Sequence, residues 1–199
     1  MEKQVIVVIC REYGSMGHVI AEQLAEKMGV KLYDKALLNG MAEAHGMDPE
    51  IIHKYDEQRI SPLLSKRIGN HSNSIEEILA EKIFEFEREL ADSGESFVIV
   101  GRCADYVLRE YPNTLRIFVC GEYEAKLKRI MEVHNLGEKA AAAKLEKENK
   151  KRRAYHNNHC DTKWGDSRSY DLTINSTKLG IEKTVEFLYD YVQLYMGKQ

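Results

Sequence analysis

Residues 4–38 read QVIVVICREYGSMGHVIAEQLAEKMGVKLYDKALL, and this stretch decides the fold. Residues 5–10 are an unbroken apolar run, mostly β-branched, which is typical of a strand covered on both faces in a parallel sheet. The loop REYGSMGH (11–18) follows, and apolar residues then recur at helical spacing from Val19 until Gly29, where a C-terminal helix glycine belongs. The stretch therefore predicts a strand, a tight glycine loop, a helix and a second short strand.

The glycine loop is a candidate anion site. Backbone N–H groups and the positive end of the helix dipole would point into one small volume, which is the arrangement that binds phosphate. Two glycines alone are equally compatible with a tight turn that needs them only for geometry. A dinucleotide-dependent oxidoreductase is disfavoured, because Glu12 stands at the first glycine of G-x-G-x-x-G when Gly14 and Gly17 are taken as the others.

Length and composition narrow the class of protein. The chain has 199 residues, 43% of them hydrophobic and 31% charged, and a net charge of −3, which indicates one globular domain and gives no sign of binding nucleic acid or anionic membrane. No apolar run approaches the roughly 20 residues that span a bilayer, and a signal-peptide pattern is missing. The four scattered cysteines form no CxxC pair, so we expect buried free thiols in a cytoplasmic protein. They are Cys10, Cys103, Cys120 and Cys160.

Strands alternate with helices along the rest of the chain. Strands are predicted at about 5–10, 31–33, 97–101, 115–120 and 170–174. The alternation predicts a three-layer α/β fold in which a five-stranded parallel sheet carries helices on both faces. Ligands bind such sheets beyond the C-terminal strand ends. The loops at 11–18, 34–35, 101–105 and 121–122 all follow strand ends, which favours an anion site over a purely geometric turn.

Helices are predicted around and after these strands. They lie at about 19–28, 35–46, from Asp48 onwards, 75–90, 123–134 and 181–195, with a charged, alanine-rich segment at 137–153. The turn-rich segment 59–72 and the segment AYHNNHCDTKWGDSRS (154–169) break the helical pattern. A partly exposed apolar stripe on the helix at 75–90 or at 181–195 could form a homodimer.

Five motifs together resemble the cytidylate kinase-like proteins, a branch of the P-loop nucleoside monophosphate kinases. In chain order they are REYGSMGH, YDKALL, GRCAD, RRAYHNNHCDTKW and YDLTINS, and they span roughly residues 4–190. The resemblance implies a single P-loop kinase-like domain with a core at 1–34, 96–135 and 169–199. It further implies a helical acceptor-binding insertion at 35–95 and an arginine-rich lid at 136–168. Nucleotides would be the substrates, and Mg²⁺ with ATP the cofactor.

The resemblance also assigns roles to single residues. The donor phosphates would be bound by Arg11, Gly14, Ser15, Met16, Gly17 and His18. The acceptor would be bound by Asp34, Gly101, Arg102 and Asp105. The catalytic side chains would be His18, Arg102, Arg129, Arg152 and Arg153. Phosphoryl transfer depends on positioning and charge neutralisation, and the planar guanidinium group suits both because it pairs phosphate oxygens bidentately.

The loop departs from the P-loop pattern G-x-x-x-x-G-K-[ST]. With Gly17 as the second glycine, Glu12 replaces the first glycine, His18 the lysine and Val19 the hydroxyl residue that ligates Mg²⁺. An active enzyme would need Arg11, His18 or lid arginines to supply positive charge. The leading hypothesis is transfer of the ATP γ-phosphoryl group to a nucleoside monophosphate or a related small acceptor. The alternative is a non-catalytic or regulatory nucleotide-binding protein that keeps the fold.

Several of these residues have a structural interpretation as well. Asp34 could simply cap the following helix, and the basic run 150–153 could be a solvated helix face. Trp164, the only tryptophan, is interpreted as a packing anchor. A metal cluster is suggested by His156, His159, Cys160 and Asp161, but their spacing fits no ordinary closed zinc site, and no metal ligand is assigned.

Overall fold

The computed structural model describes residues 4–34, 36, 40, 67–68, 71–72 and 75–197. The predicted helix that begins at Asp48 lies outside the described residues. The predicted helix at 35–46 lies outside them too, apart from residues 36 and 40, which are helical.

The core is one five-stranded parallel sheet, which confirms the predicted fold class. Its strands are β1 (Ile6–Arg11), β2 (Lys31–Tyr33), β5 (Phe97–Ile99), β6 (Thr114–Cys120) and β7 (Leu172–Asn175), in the order β2-β5-β1-β6-β7. A separate antiparallel pair, β3 (Arg67–Ile68) and β4 (His71–Ser72), lies within the segment that the sequence predicts as turns.

Helices cover both faces of the sheet. They are α1 (Gly17–Met28), α2 (Ile75–Asp92), α3 (Ala104–Val107), α4 (Tyr123–His134), α5 (Glu138–His159), α6 (Ser176–Leu179) and α7 (Ile181–Gly197), with a 3₁₀ turn at Ser167–Ser169. Alternate residues of β1 enter two different hydrophobic clusters. One cluster lies against α1 and α7, and the other lies against α2, α3 and the end of α5. This two-sided burial explains why the first strand is a continuous apolar run.

Helix α5 is longer than the sequence predicts. The pattern was expected to break at residue 154, but the helix continues to His159. His156 is fully buried, and its Nε2 lies 2.9 Å from the Asp105 carboxylate. This tertiary contact outweighs the weak helix propensity of the histidines and asparagines in this turn.

The cysteines are free thiols, and Cys10, Cys103 and Cys160 are buried whereas Cys120 is half-buried. Among the described residues, no helix has both the length and the apolar character that crossing a membrane requires.

Candidate functional site

The loop between β1 and α1 is held in one tight conformation. Gly14 and Met16 both adopt left-handed backbone angles, with φ of 80° and 65°. Ser15 is buried, and its hydroxyl donates to the carbonyls of Glu12 and Val119 at 2.9 and 3.0 Å. At Gly17 a Cβ would lie 2.6 Å from the Cβ of Arg11, so only glycine fits there. The loop geometry is therefore built into the packing.

Four N–H groups of this loop and of the first turn of α1 are available to a ligand. Tyr13 donates its N–H to Oδ1 of Asn149 on α5 at 2.7 Å. None of the hydrogen bonds found among the described residues uses the N–H groups of Gly14, Met16, Gly17 and His18. These groups lie at the N-terminal end of α1, where the helix dipole is positive. The loop therefore has the features of an anion site.

A cavity of about 280 Å³ lies between this loop, α4 and α5. Its lining includes seven of the residues predicted for the donor and catalytic site, namely Arg11, Gly14, Met16, Gly17, His18, Arg129 and Arg152. Ser15 belongs to the same loop but is buried beneath it. The structure thus brings together residues from three separate parts of the sequence.

Two arginine side chains, Arg11 and Arg152, lie close together at the cavity. The Arg11 guanidinium donates to the Gly101 carbonyl at 2.9 Å, and Arg152 donates to the Arg11 carbonyl at 3.0 Å. Burial, followed by repulsion from Arg152, lowers the pKa of Arg11 to about 9. Burial, followed by repulsion from Arg102, lowers the pKa of Arg152. Within the described part of the chain neither Arg11 nor Arg152 forms an ion pair, so a bound anion would relieve this repulsion.

Glu12, which replaces the first P-loop glycine, is neutralised by a lysine. Its Oε2 accepts from Lys126 Nζ at 2.5 Å and from the Gly121 N–H at 3.1 Å. Lys126 lies on α4 and is buried. The negative charge that the sequence places beside the phosphate loop is therefore compensated. Sequence reasoning missed this pair because Lys126 resembles any other charged residue of an amphipathic helix.

His18 and Asp34 lie together at the rim. His18 Nε2 is 3.0 Å from Asp34 Oδ2, and the His18 side chain is half exposed. Asp34 follows β2, so its position at the carboxyl end of a strand agrees with the predicted rim. Val19 also lines the cavity but offers no side-chain ligand for a metal.

Two predicted acceptor residues lie behind the loop. The carbonyl of Gly101 is the acceptor for Arg11, and a Cβ at Gly101 would lie 2.7 Å from that of Ala104. The Arg102 guanidinium carbon lies 4.8 Å from the centre of the Tyr155 ring on α5. Arg102 therefore connects the end of β5 to the helix that carries Arg152, whereas Gly101 connects it to Arg11 at the end of β1.

Two other predicted site residues do not line this cavity. Asp105 is buried against His156. Arg153 is exposed, and its guanidinium carbon lies 5.5 Å from the centre of the Trp164 ring. Trp164 in turn packs edge-on against Phe118 of β6, which confirms its interpretation as a packing anchor. The sequence could not separate Arg152 from Arg153, because helical rotation directs neighbouring side chains about 100° apart.

The histidine- and cysteine-rich segment does not form a metal site in the part of the chain that the structure describes. No group of three or more His, Cys, Asp or Glu side chains there is placed to hold a metal ion. His159 Nδ1 lies 2.8 Å from the Tyr155 carbonyl, and Asp161 accepts from the Tyr106 hydroxyl at 2.7 Å.

Comparison with known proteins identifies relatives of this chain. A model of the cytidylate kinase-like family matches residues 6–178. The crystal structure of an uncharacterized protein from Eubacterium ventriosum is 34% identical, with a TM-score of 0.76, and the match covers 96% of this chain and 99% of that one. No curated protein matches.

More distant solved structures share the fold. A shikimate kinase from Acinetobacter baumannii is 13% identical, with a TM-score of 0.55 and coverage of 98% of this chain and 96% of that one. A sugar kinase from Janibacter is 16% identical, with a TM-score of 0.56 and coverage of 96% and 95%. At these identities the likeness concerns the fold alone.

Proposed function

The chain belongs to the cytidylate kinase-like family, and on this premise we propose that it transfers the γ-phosphoryl group of ATP to a nucleoside monophosphate or a related small acceptor. One observation carries the proposal. One cavity in the described part of the chain is lined by unpartnered N–H groups of a glycine loop. Arg11 and Arg152, which have no ion-pair partners there, line the same cavity. A polyphosphate supplies the charge and the acceptor atoms that this cavity lacks.

The proposed roles follow from position. The N–H groups of Gly14, Met16, Gly17 and His18 would hold the β- and γ-phosphates. Arg11, Arg129 and Arg152 would neutralise the charge that spreads over the transferring group, which is the main requirement of this chemistry. Arg102 would contact the acceptor from the end of β5. We keep Asp105 as a positioning residue that acts through His156, because its carboxylate is buried.

Mg²⁺ would bind at Asp34. Mg²⁺ usually keeps several waters and takes one or two protein carboxylates together with substrate phosphates. Among the described carboxylates beside the loop, Glu12 is neutralised by Lys126, and Asp34 lies at the rim in a hydrogen bond with His18. When bound, the ion would neutralise phosphate charge that a P-loop lysine otherwise neutralises.

The alternative is nucleotide binding without transfer. It is favoured by the lining of the cavity, whose residues all lie in the described part of the chain and include no lysine. His18 at the lysine position is hydrogen-bonded to Asp34, so its availability to a phosphate depends on that contact.

A coupled assay of ADP release distinguishes the two functions. The full chain with ATP and MgCl₂ is tested against a panel of nucleoside monophosphates and other small hydroxyl or phosphate acceptors. We expect one acceptor to stimulate ADP release and Arg152→Ala to reduce the stimulated rate about tenfold or more. Lys150→Ala removes an exposed cation from the same helix and should leave the rate within about twofold.

Thermal shift with ATP and ADP completes the test. Stabilisation without turnover against any acceptor would favour the binding function over the kinase. Absence of both stabilisation and turnover would contradict both functions.

A further inference from the structure

A second cluster of reactive groups lies at the C-terminal end of α5, away from the cavity. Cys160 ends this helix, and Cys103 precedes α3. Both side chains pack in the same buried hydrophobic cluster. Cys160 keeps 7% of its surface exposed to solvent, and Cys103 keeps 1%. The two cysteines therefore lie in one cluster, in which Cys160 is the more exposed of the two.

Two side-chain contacts hold the two cysteine segments together. His156, one turn before Cys160, lies 2.9 Å from Asp105, two residues after Cys103. The Tyr106 hydroxyl donates to Asp161, the residue after Cys160, at 2.7 Å. A disulfide requires Cα atoms within about 7 Å and Cβ atoms that face each other. The two contacts lie on either side of Cys160 and directly after Cys103, so they hold the two segments beside each other.

The surroundings give the two thiols different reactivity. Interaction with Cys103 lowers the pKa of Cys160 most, burial opposes this, and interaction with His156 lowers it further. Burial raises the pKa of Cys103 far above its ordinary value. These opposite directions favour Cys160 as the nucleophile and Cys103 as the thiol that reacts second. The His156 ring, one turn before Cys160, is held by Asp105 and is the base available to both steps.

We propose that Cys103 and Cys160 form a redox-modification site at which hydrogen peroxide oxidises the two thiols to a disulfide. The Cys160 thiolate attacks one peroxide oxygen, an S–O bond forms, the O–O bond breaks, and the departing hydroxide takes the proton of His156 as water. The Cys103 thiol then gives its proton to His156 and attacks the sulfenic sulfur. The S–S bond forms, the S–O bond breaks, and a second water leaves with the His156 proton. Two thiol-level sulfurs are oxidised and one peroxide is reduced to two waters.

The bond would join the end of α5, which carries Arg152, to the segment that follows Arg102. Formation of the disulfide does not depend on the proposed kinase activity. A test of the bond itself therefore succeeds or fails separately from the assay of phosphoryl transfer.

The experiment uses the reduced full chain, treated with hydrogen peroxide and then quenched with catalase. Free thiols are counted under denaturing conditions, and peptides are mapped by mass spectrometry without reduction. We expect the thiol count to fall from four by about two, with a Cys103–Cys160 cross-linked peptide. Cys120→Ser removes the half-buried cysteine that is outside the pair and should lose thiols at the same rate.

Single serine variants separate the roles of the two thiols. Cys103→Ser should stop at a sulfenic acid on Cys160, which dimedone traps, and Cys160→Ser should retain its thiols over the same time. The proposal would be overturned if the wild-type chain kept all its thiols, if the cross-link used Cys10 instead, or if Cys103→Ser formed a disulfide to the same extent.

Discussion

Two adjacent turns near the C-terminal end of helix α5 differ in how their charges are paired. Arg152 lines a cavity beside Arg11, and neither has an ion-pair partner among the described residues. One turn later, His156 is buried but lies 2.9 Å from Asp105. Buried or crowded charge is costly unless it is paired. Arg11 and Arg152, which lack ion-pair partners in the described part of the chain, therefore mark where a ligand would bind, whereas the paired His156 marks where the helix is anchored.

Loss of the contact between His156 and Asp105 should have the largest effect on stability. His156→Ala would leave the Asp105 carboxylate buried without its partner and should lower the free energy of unfolding by about 3–5 kcal/mol. Urea denaturation of the purified chain measures the loss. Asn158→Ala removes an exposed side chain two residues away and should cost less than about 0.5 kcal/mol. Equal losses in the two variants would show that the pair does not anchor the helix.

Substitution of Arg152 should have the largest effect on the affinity for ATP. Arg152→Ala removes a charge-assisted contact to phosphate, and we expect the Kd for ATP to rise about 10- to 100-fold. Arg153→Ala should change it less than about threefold, because its guanidinium lies over Trp164 instead of lining the cavity. Isothermal titration calorimetry at fixed salt compares the two. A larger effect of Arg153→Ala than of Arg152→Ala would show that the phosphates of ATP bind outside this cavity.

The pKa of Glu87 allows a test of the electrostatics beside the contact between His156 and Asp105. Glu87 is buried on α2, and burial, followed by repulsion from Asp105, raises its pKa from 4.5 to about 8. The folded state therefore keeps a proton that the unfolded state releases between these values. The contribution of this proton to the free energy of unfolding is complete below pH 4.5 and is lost as the pH rises through about 8.

Glu87→Gln removes that titration. Between pH 5 and 8 the unfolding free energy of the wild type should fall relative to this variant, by at most about 1.4 kcal/mol per pH unit. Glu89→Gln, an exposed neighbour, should follow the wild type. Parallel curves for wild type and Glu87→Gln would contradict a buried, protonated Glu87.

Asn149 should give the smallest effect. Its Oδ1 accepts the Tyr13 N–H at 2.7 Å, so a phosphate oxygen must compete with it for that donor. Asn149→Ala should lower the Kd for ATP about fivefold, which corresponds to one hydrogen bond of about 1 kcal/mol. The same calorimetric titration measures it, with Asn158→Ala as the control. Weaker binding would mean that Asn149 holds the loop in its binding conformation instead of blocking it.

Much of the fold could be predicted from local patterns. The apolar run before the loop predicted a doubly buried strand, and Gly29 predicted a helix end, where it adopts a φ of 69°. The helix Tyr123–His134 has the predicted bounds. These features depend on the hydrophobic period and on glycine geometry, which act over a few residues.

The site was predicted less completely, because its electrostatics depend on distant residues. Lys126 neutralises Glu12 across 114 positions of sequence, and Asn149 reaches Tyr13 across 136. No local pattern reports such contacts. For the same reason the sequence could not show that the Asp105 carboxylate contacts His156 inside the protein.

The sequence by itself determined the parallel sheet, the position of the glycine loop and the rim on which the candidate residues lie, because periodicity and strand order place them without knowledge of packing. Only the tertiary structure decided which charges are paired. It joined Lys126 to Glu12 and His156 to Asp105, and it placed Arg11 and Arg152 at the cavity without ion-pair partners among the described residues. The physical reason is that charge compensation depends on distance in space, which the folded chain alone sets.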